Sequence, residues 1–257
     1  MQGLTRGQLS EVVNKKIERP VFATLAGDHL TGVPSGGPAA YRIAGAMLLP
    51  LRAILGLRPV GEAKERSFDF EGWPVDLSFL DLKSYIDRIA RSDNTALLEE
   101  LYSPQILFDT PEHGRLRDLA RQFLNRTSCH DFLDRARKRR ASYAESRLLR
   151  LVIESGRLCL AARHVLVHAR LESRVDKLIT ACEEPWLGEM VQRIRSDGPQ
   201  AMVLPDEAGQ VEQELDRLER TALEARAASP LPEGGGSISG LDEFLVDLRL
   251  RELDATA

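Results

Sequence analysis

The sequence predicts an α+β protein, with a small β-sheet in its early part and a helical region after it. Three observations carry that reading. A short apolar run at 21–26 enters a loop rich in Gly, Pro and Ser, and a second apolar run at 43–49 leaves it, the pattern of a buried strand, a glycine turn and a returning strand. Segments 67–70 and 75–80 bracket Glu71-Gly72-Trp73-Pro74, a strong hairpin signal. From Asp81 onward the apolar spacing changes from two to about 3.6, the helical period.

In chain order, Thr5 is placed to cap a helix over 5–18, with Leu9, Val12, Val13 and Ile17 on one face, and Pro20 ends it. The first strand follows. Gly27 and Gly32 punctuate the next loop, where they permit positive φ and close approach of a ligand to backbone N–H groups. After the second strand, 51–57 reads as a short helix or turn. In the second hairpin arm Val75, Leu77 and Phe79 share one face, and Asp76 and Ser78 the other. Asp81 caps a helix, and Asn94 is placed to cap the next. Helices are then expected over 111–123, 129–144, 146–170, 171–182, 186–194 and 211–226, with a break at Ser196-Asp197-Gly198-Pro199. The stretch 229–240, with three adjacent glycines, reads as a flexible linker, and a last helix over 241–253 offers Phe244, Leu245, Leu248 and Leu250 for docking.

Composition narrows the function. The 257 residues are 43% hydrophobic and 29% charged, ordinary globular material with room for two domains. A net charge of −4 gives the whole molecule no general attraction to nucleic acid, so any such site is a local patch. No apolar run has membrane-spanning length and 1–16 has no signal-peptide core, so no membrane partner is expected. Cys129, Cys159 and Cys182 form neither CxxC pairs nor a disulfide framework; reduced thiols in a cytoplasmic protein are expected.

Two clusters further along have chemical potential. Arg135, Arg137, Lys138, Arg139 and Arg140 lie within six residues of an expected helix, a run able to grip a triphosphate or an RNA backbone, or to form a solvated basic face. His164 and His168 stand one helical turn apart, a two-ligand metal spacing, but no third ligand of the HExxH kind accompanies them.

The loop also carries a resemblance. Gly27-Asp28-His29-Leu30, then Gly32 and Pro34-Ser35, resembles the entry loop of the DNA polymerase β-type nucleotidyltransferases, in the bacterial branch that includes RNA-repair-associated members. Other matching blocks are 48–57, Val75-Asp76-Leu77, the Asn94 to Glu99 spacing before Leu101-Tyr102-Ser103-Pro104, and Arg157-Leu158-Cys159-Leu160 with His164 and Leu171-Glu172. The likeness extends from Phe22 to the C-terminal 241–250. It implies a small mixed sheet in a nucleotidyltransferase-like domain at 1–92, a helical domain at 93–228, the linker at 229–240 and a docking helix at 241–257.

What the resemblance implies about the site is mixed. The family's glycine loop holds the nucleoside triphosphate tail, which assigns Gly27 and Asp28 to nucleotide binding; the Arg42 guanidinium can also bind phosphate, and the basic run on the helix offers Arg137 and Arg139 as further phosphate contacts. An Asp-x-Asp on the second strand holds the metals, yet Ala40-Tyr41-Arg42 falls there, and Ala44-Gly45 replaces Arg-Gly. Asp76 matches a third carboxylate and is the candidate catalytic residue retained. No metal ligand set remains, so no cofactor is expected. The function expected is that of a pseudoenzyme that binds a nucleoside triphosphate, an RNA or a protein partner. The alternatives are an active Mg²⁺-dependent transferase that recruits Asp28, Asp69 or Asp76, and a non-catalytic interaction subunit.

Overall fold

The computed structural model describes residues 3–34, 40–55, 61–91 and 94–256. Ser35 of the resembled loop, the end of the expected 51–57 segment, and the expected domain boundary at 92/93 lie outside the described residues.

Helix α1 (Arg6–Lys16) opens with a capping box: the Thr5 hydroxyl accepts from the Gln8 backbone N–H, and Gln8 Oε1 accepts from the Thr5 N–H at 2.8 Å. β1 (Pro20–Leu25) leads through Gly27 into the single turn α2 (Asp28–Thr31). β2 (Tyr41–Met47) and α3 (Leu51–Leu55) follow, and then β3 (Ala63–Phe70) and β4 (Trp73–Asp81) form the hairpin. The hairpin turn is tight because Glu71 and Gly72 both take positive φ, 54° and 80°. β3 begins earlier than its sequence suggested. Its residues are mostly exposed and charged, so no apolar alternation marks its start.

The five strands form one mixed sheet in the order β3-β4-β2-β1-β5, with β2 and β4 parallel and the other pairs antiparallel. β5 (Ile106–Phe108) was not expected. At three residues it is too short to show a period, and it exists because β1 offers it a free edge. One face of the sheet packs on α1 through Leu9, Val12, Val13, Ile43, Leu77 and Phe79. The other face begins an apolar core that runs without a break from Phe22, Ala46 and Leu80 into the helices as far as Leu160 and Phe244.

Those helices are α4 (Leu82–Ala90), α5 (Thr95–Leu101), α6 (Pro111–Ala120), α7 (Ser128–Ser146), α8 (Leu149–His168), α9 (Val175–Cys182), α10 (Pro185–Asp197), α11 (Ala208–Ala227) and α12 (Ser239–Thr256). Asp81 caps α4 as expected, accepting from Lys83 N–H at 3.0 Å. Asn94 occupies the cap position of α5, but its side chain makes no cap bond. Asp131 of α7 does that work instead, accepting from Thr95 N–H at 2.8 Å and from the Thr95 hydroxyl at 2.5 Å.

The glycine-rich stretch 229–240 is tied to the body of the protein. Ser229 Oγ donates to Leu166 O at 2.6 Å, Arg126 N–H donates to Pro232 O at 2.9 Å and Gly236 N–H donates to Gln122 O at 3.1 Å. α12 then docks through Leu241, Phe244 and Leu248, while Leu250, expected to dock, is 53% exposed. Arg249 fixes the helix from the polar side, donating to Asp81 at 2.8 Å and to Leu49 O. The three cysteines are free and buried. No helix among the described residues is long and apolar enough to cross a membrane.

Candidate functional site

A cleft of about 540 Å³ opens between the β1–α2 turn, the start of β2 and the facing surfaces of α5, α7 and α8. Gly27 forms its sheet-side wall. It takes φ +60°, and a Cβ there would stand 3.1 Å from Arg42 Cδ, so glycine is required both for the turn and for the passage of the Arg42 side chain. Gly32 closes α2 in the left-handed region at φ +71°. His29 stacks on Tyr41 with ring centroids 4.8 Å apart, and Tyr41 in turn accepts from Leu4 N–H at 3.0 Å, which fixes α2 against β2.

Arg42 and Asp76 are register partners across β2 and β4, and Arg42 Nε stands 4.0 Å from Asp76 Oδ2. Both side chains are solvent-accessible, 67% and 40%, so the pairing is weak and leaves the guanidinium available. Asp76 lies outside the first cleft, in an adjoining hollow of about 510 Å³ on the open face of the sheet with Glu65, Ser67 and Ser78. Arg42, Gly27 and Glu100 border both spaces.

The helical wall shows how the basic run on α7 is used. Arg137 points to α11, donating to Glu219 at 2.6 and 2.9 Å and to Asp134 at 3.0 Å. Arg140, three residues on, does the same with Glu212 and Asp216, both at 2.6 Å. Arg135, Lys138 and Arg139 occupy the other side of the helix and line the cleft. The structure therefore brings Gly27, Asp28, Arg42 and Arg139 together and leaves Arg137 apart from them. Arg139 shares Glu154 of α8 with Arg150, at 2.9 and 3.9 Å. Among the described residues Lys138 has no acidic partner.

The cleft floor is ionic. Glu99, 3% exposed, accepts from Arg157 Nη1 at 2.6 Å and from Arg135 Nη2 at 2.9 Å. Arg157, itself buried, also donates to Ser173 O at 3.2 Å, and Arg135 to Thr95 Oγ1 at 2.8 Å. Burial pushes the Glu99 carboxyl up, but the Arg157 and Arg135 charges outweigh it and hold the group below the usual carboxylate range. Glu100, next in sequence, has no such partner among the described residues. Burial, and then the charge of Glu99, push its carboxyl up to about 7 against the opposing pull of Arg135. Glu99 and Arg157 each lay in a block of the family resemblance; that the two blocks meet in one ion pair required the fold to see. Glu100 lay in the same resembled block as Glu99 without being singled out, and Arg150 and Glu154 carried no signal in the sequence.

The residues present do not suit a divalent metal. A hard cation asks for several oxygen ligands, whereas this place offers the Ala40 methyl just before β2, the Arg42 guanidinium on β2 and one carboxylate on β4 facing that guanidinium. Asp28 borders the first cleft, Asp76 the adjoining hollow, and Asp69 accepts from Gly72 N–H at 2.9 Å in the hairpin turn. Among the described residues no three His, Cys, Asp or Glu side chains converge on a metal position. His164 and His168 are adjacent, ring centroids 4.6 Å apart, with no third ligand near them among those residues.

A family model described as RlaP, the RNA repair pathway DNA polymerase beta family, matches residues 1–247. No curated protein matches the chain in sequence. Among solved structures, a nucleotidyltransferase-like protein from Exiguobacterium sibiricum is similar at 11% identity and a TM-score of 0.32, covering 95% of this chain and 78% of that one.

Proposed function

The chain belongs to the RNA repair pathway DNA polymerase beta family, and from that premise we propose that it binds a phosphate-bearing nucleotide without carrying out metal-assisted nucleotidyl transfer. The observation that carries the proposal is the lining of the cleft. Arg42 from the sheet and Lys138, Arg139 and Arg150 from the helices border one space, and the strand positions where the family holds its metals are Ala40 and Arg42. A guanidinium binds phosphate oxygens in a fixed fork and supplies positive charge without a metal. It cannot coordinate and acidify an attacking hydroxyl, which is what a metal contributes to transfer. Binding and transfer are thus separable, and this set of side chains favours binding alone.

The ligand is defined by its phosphates, whether on a free nucleoside triphosphate or on the 5′ end of an RNA. Both are tested on the full chain by titration with ATP and with a 5′-phosphorylated oligoribonucleotide. Lys138→Glu with Arg139→Glu places two negative charges in the cleft and should weaken phosphate binding at least about tenfold. Arg137→Glu, on the far side of α7, should leave it unchanged. An RNA ligand would add a steep salt dependence, about one unit of log–log slope per phosphate neutralised. Equal losses in the two variants, or labelled nucleotide incorporated into RNA in a Mg²⁺-dependent way, would overturn the proposal.

A further inference from the structure

Adjacent glutamates on α5 occupy opposite electrostatic situations in the same cleft, and one of them has no use in the reading above. Glu99 is locked between two guanidinium groups. Glu100 is half-buried at the seam where the cleft meets the adjoining hollow, with no ion pair among the described residues. We infer that anion binding in the cleft is coupled to uptake of one proton by Glu100, so that the site takes a polyanionic ligand in its acid form and releases it as Glu100 ionises. The inference rests on the cleft being a phosphate site, as proposed above.

The geometry supplies the reason. An anion held by Arg42 and by the cations of α7 sits in a space that Glu100 also borders, so an ionised Glu100 would oppose it across a partly desolvated gap. A protonated Glu100 removes that repulsion and adds an O–H donor for a phosphate oxygen. The burial that raises its carboxyl to about 7 puts the change within the physiological range.

Charged and titratable groups face Glu100 from several elements. On its own helix, Glu99 is held ionised by its arginines. From α4, Tyr85 faces Glu100, and burial keeps its phenol protonated well above the ordinary value. From α7 and β2 come Arg135, Arg139 and Arg42, together with Lys138. α8 contributes Arg150, Glu154 and Arg157, with Glu154 paired to both Arg150 and Arg139. The sheet side presents Asp28, Asp76, Glu65 and Arg66. His29 is next to Asp28, and burial lowers its proton affinity from the ordinary imidazole value.

The test needs a ligand whose own charge is constant near neutrality. Adenosine 5′-phosphosulfate meets this condition, and its affinity for the full chain is measured by calorimetry from about pH 6 to about pH 8. If only the protonated form binds, affinity falls about tenfold across that range, following the protonated fraction of Glu100. Calorimetry in buffers of different ionisation enthalpy should show a proton taken up on binding near neutrality. Glu100→Gln should bind as tightly as the wild type at its acid limit, with the pH dependence gone. A flat wild-type profile, or a slope that survives in Glu100→Gln, overturns the coupling while leaving the phosphate site intact. Absence of binding at every pH overturns both.

Discussion

Arg42 on β2 and Asp76 on β4 face each other across a parallel strand pair, the guanidinium Nε 4.0 Å from the carboxylate. This pairing can be rebuilt as a metal site by substitution. Ala40→Asp with Arg42→Asp places two carboxylates two residues apart beside Asp76 and removes the cation that repels a metal. The double variant is expected to gain Mg²⁺ or Mn²⁺ binding, read by calorimetry or by metal-dependent thermal stabilisation. A folded double variant that binds no metal would show that Ala40 and Arg42 do not occupy the family's metal positions.

Glu99 and Glu100 should give opposite pH signatures in stability. The folded state holds Glu99 below its unfolded value, so its contribution is present above the unfolded carboxylate range and lost as pH falls through the lower folded value. The folded state raises Glu100 to about 7, so its contribution is present below the unfolded carboxylate range and lost as pH rises through about 7. Glu100→Gln should therefore melt higher than the wild type above neutrality. Glu99→Gln should be less stable at neutral pH, by about 3 kcal/mol, because it leaves the buried Arg157 guanidinium without its carboxylate. Melting curves across pH check both signs.

Asp81 ties the sheet to both ends of the helical region. Its carboxylate caps α4, accepts from Leu49 N–H at 3.0 Å and receives Arg249 of α12 at 2.8 Å. Asp81→Asn preserves shape but weakens the pairing, and Asp81→Ala removes all three contacts. The alanine variant should lose about 3 kcal/mol and expose α12 to early hydrogen exchange. Unchanged protection of α12 would mean that Leu241, Phe244 and Leu248 suffice to hold it.

The sequence was readable where local physics decides the outcome. The apolar runs of β1 and β2, the positive-φ turn at Glu71-Gly72, and the caps at Thr5 and Asp81 each depend on residues close together in the chain. β5 was unreadable because three residues paired to an existing edge carry no period of their own. The site was legible only in part for the same reason. Gly27, Asp28, Arg42 and Arg139 meet in the cleft, but the division of the basic run depended on which helix packs against which side of α7. Arg137 belongs to Glu219, a partner 82 positions away. No spacing rule could join Glu99 to Arg157, 58 positions apart, or set Glu100 apart from its neighbour.

If Arg42 and the α7 cations bind phosphate in place of a metal, ATP binding needs no Mg²⁺. ATP affinity for the full chain is measured in Mg²⁺ and again in excess EDTA. Because Mg²⁺ neutralises part of the triphosphate charge, the account predicts affinity in EDTA equal to or somewhat tighter than in Mg²⁺, with a loss of at least about tenfold in Arg42→Ala under both conditions. Binding that disappears on chelation, or that survives Arg42→Ala unchanged, would contradict it.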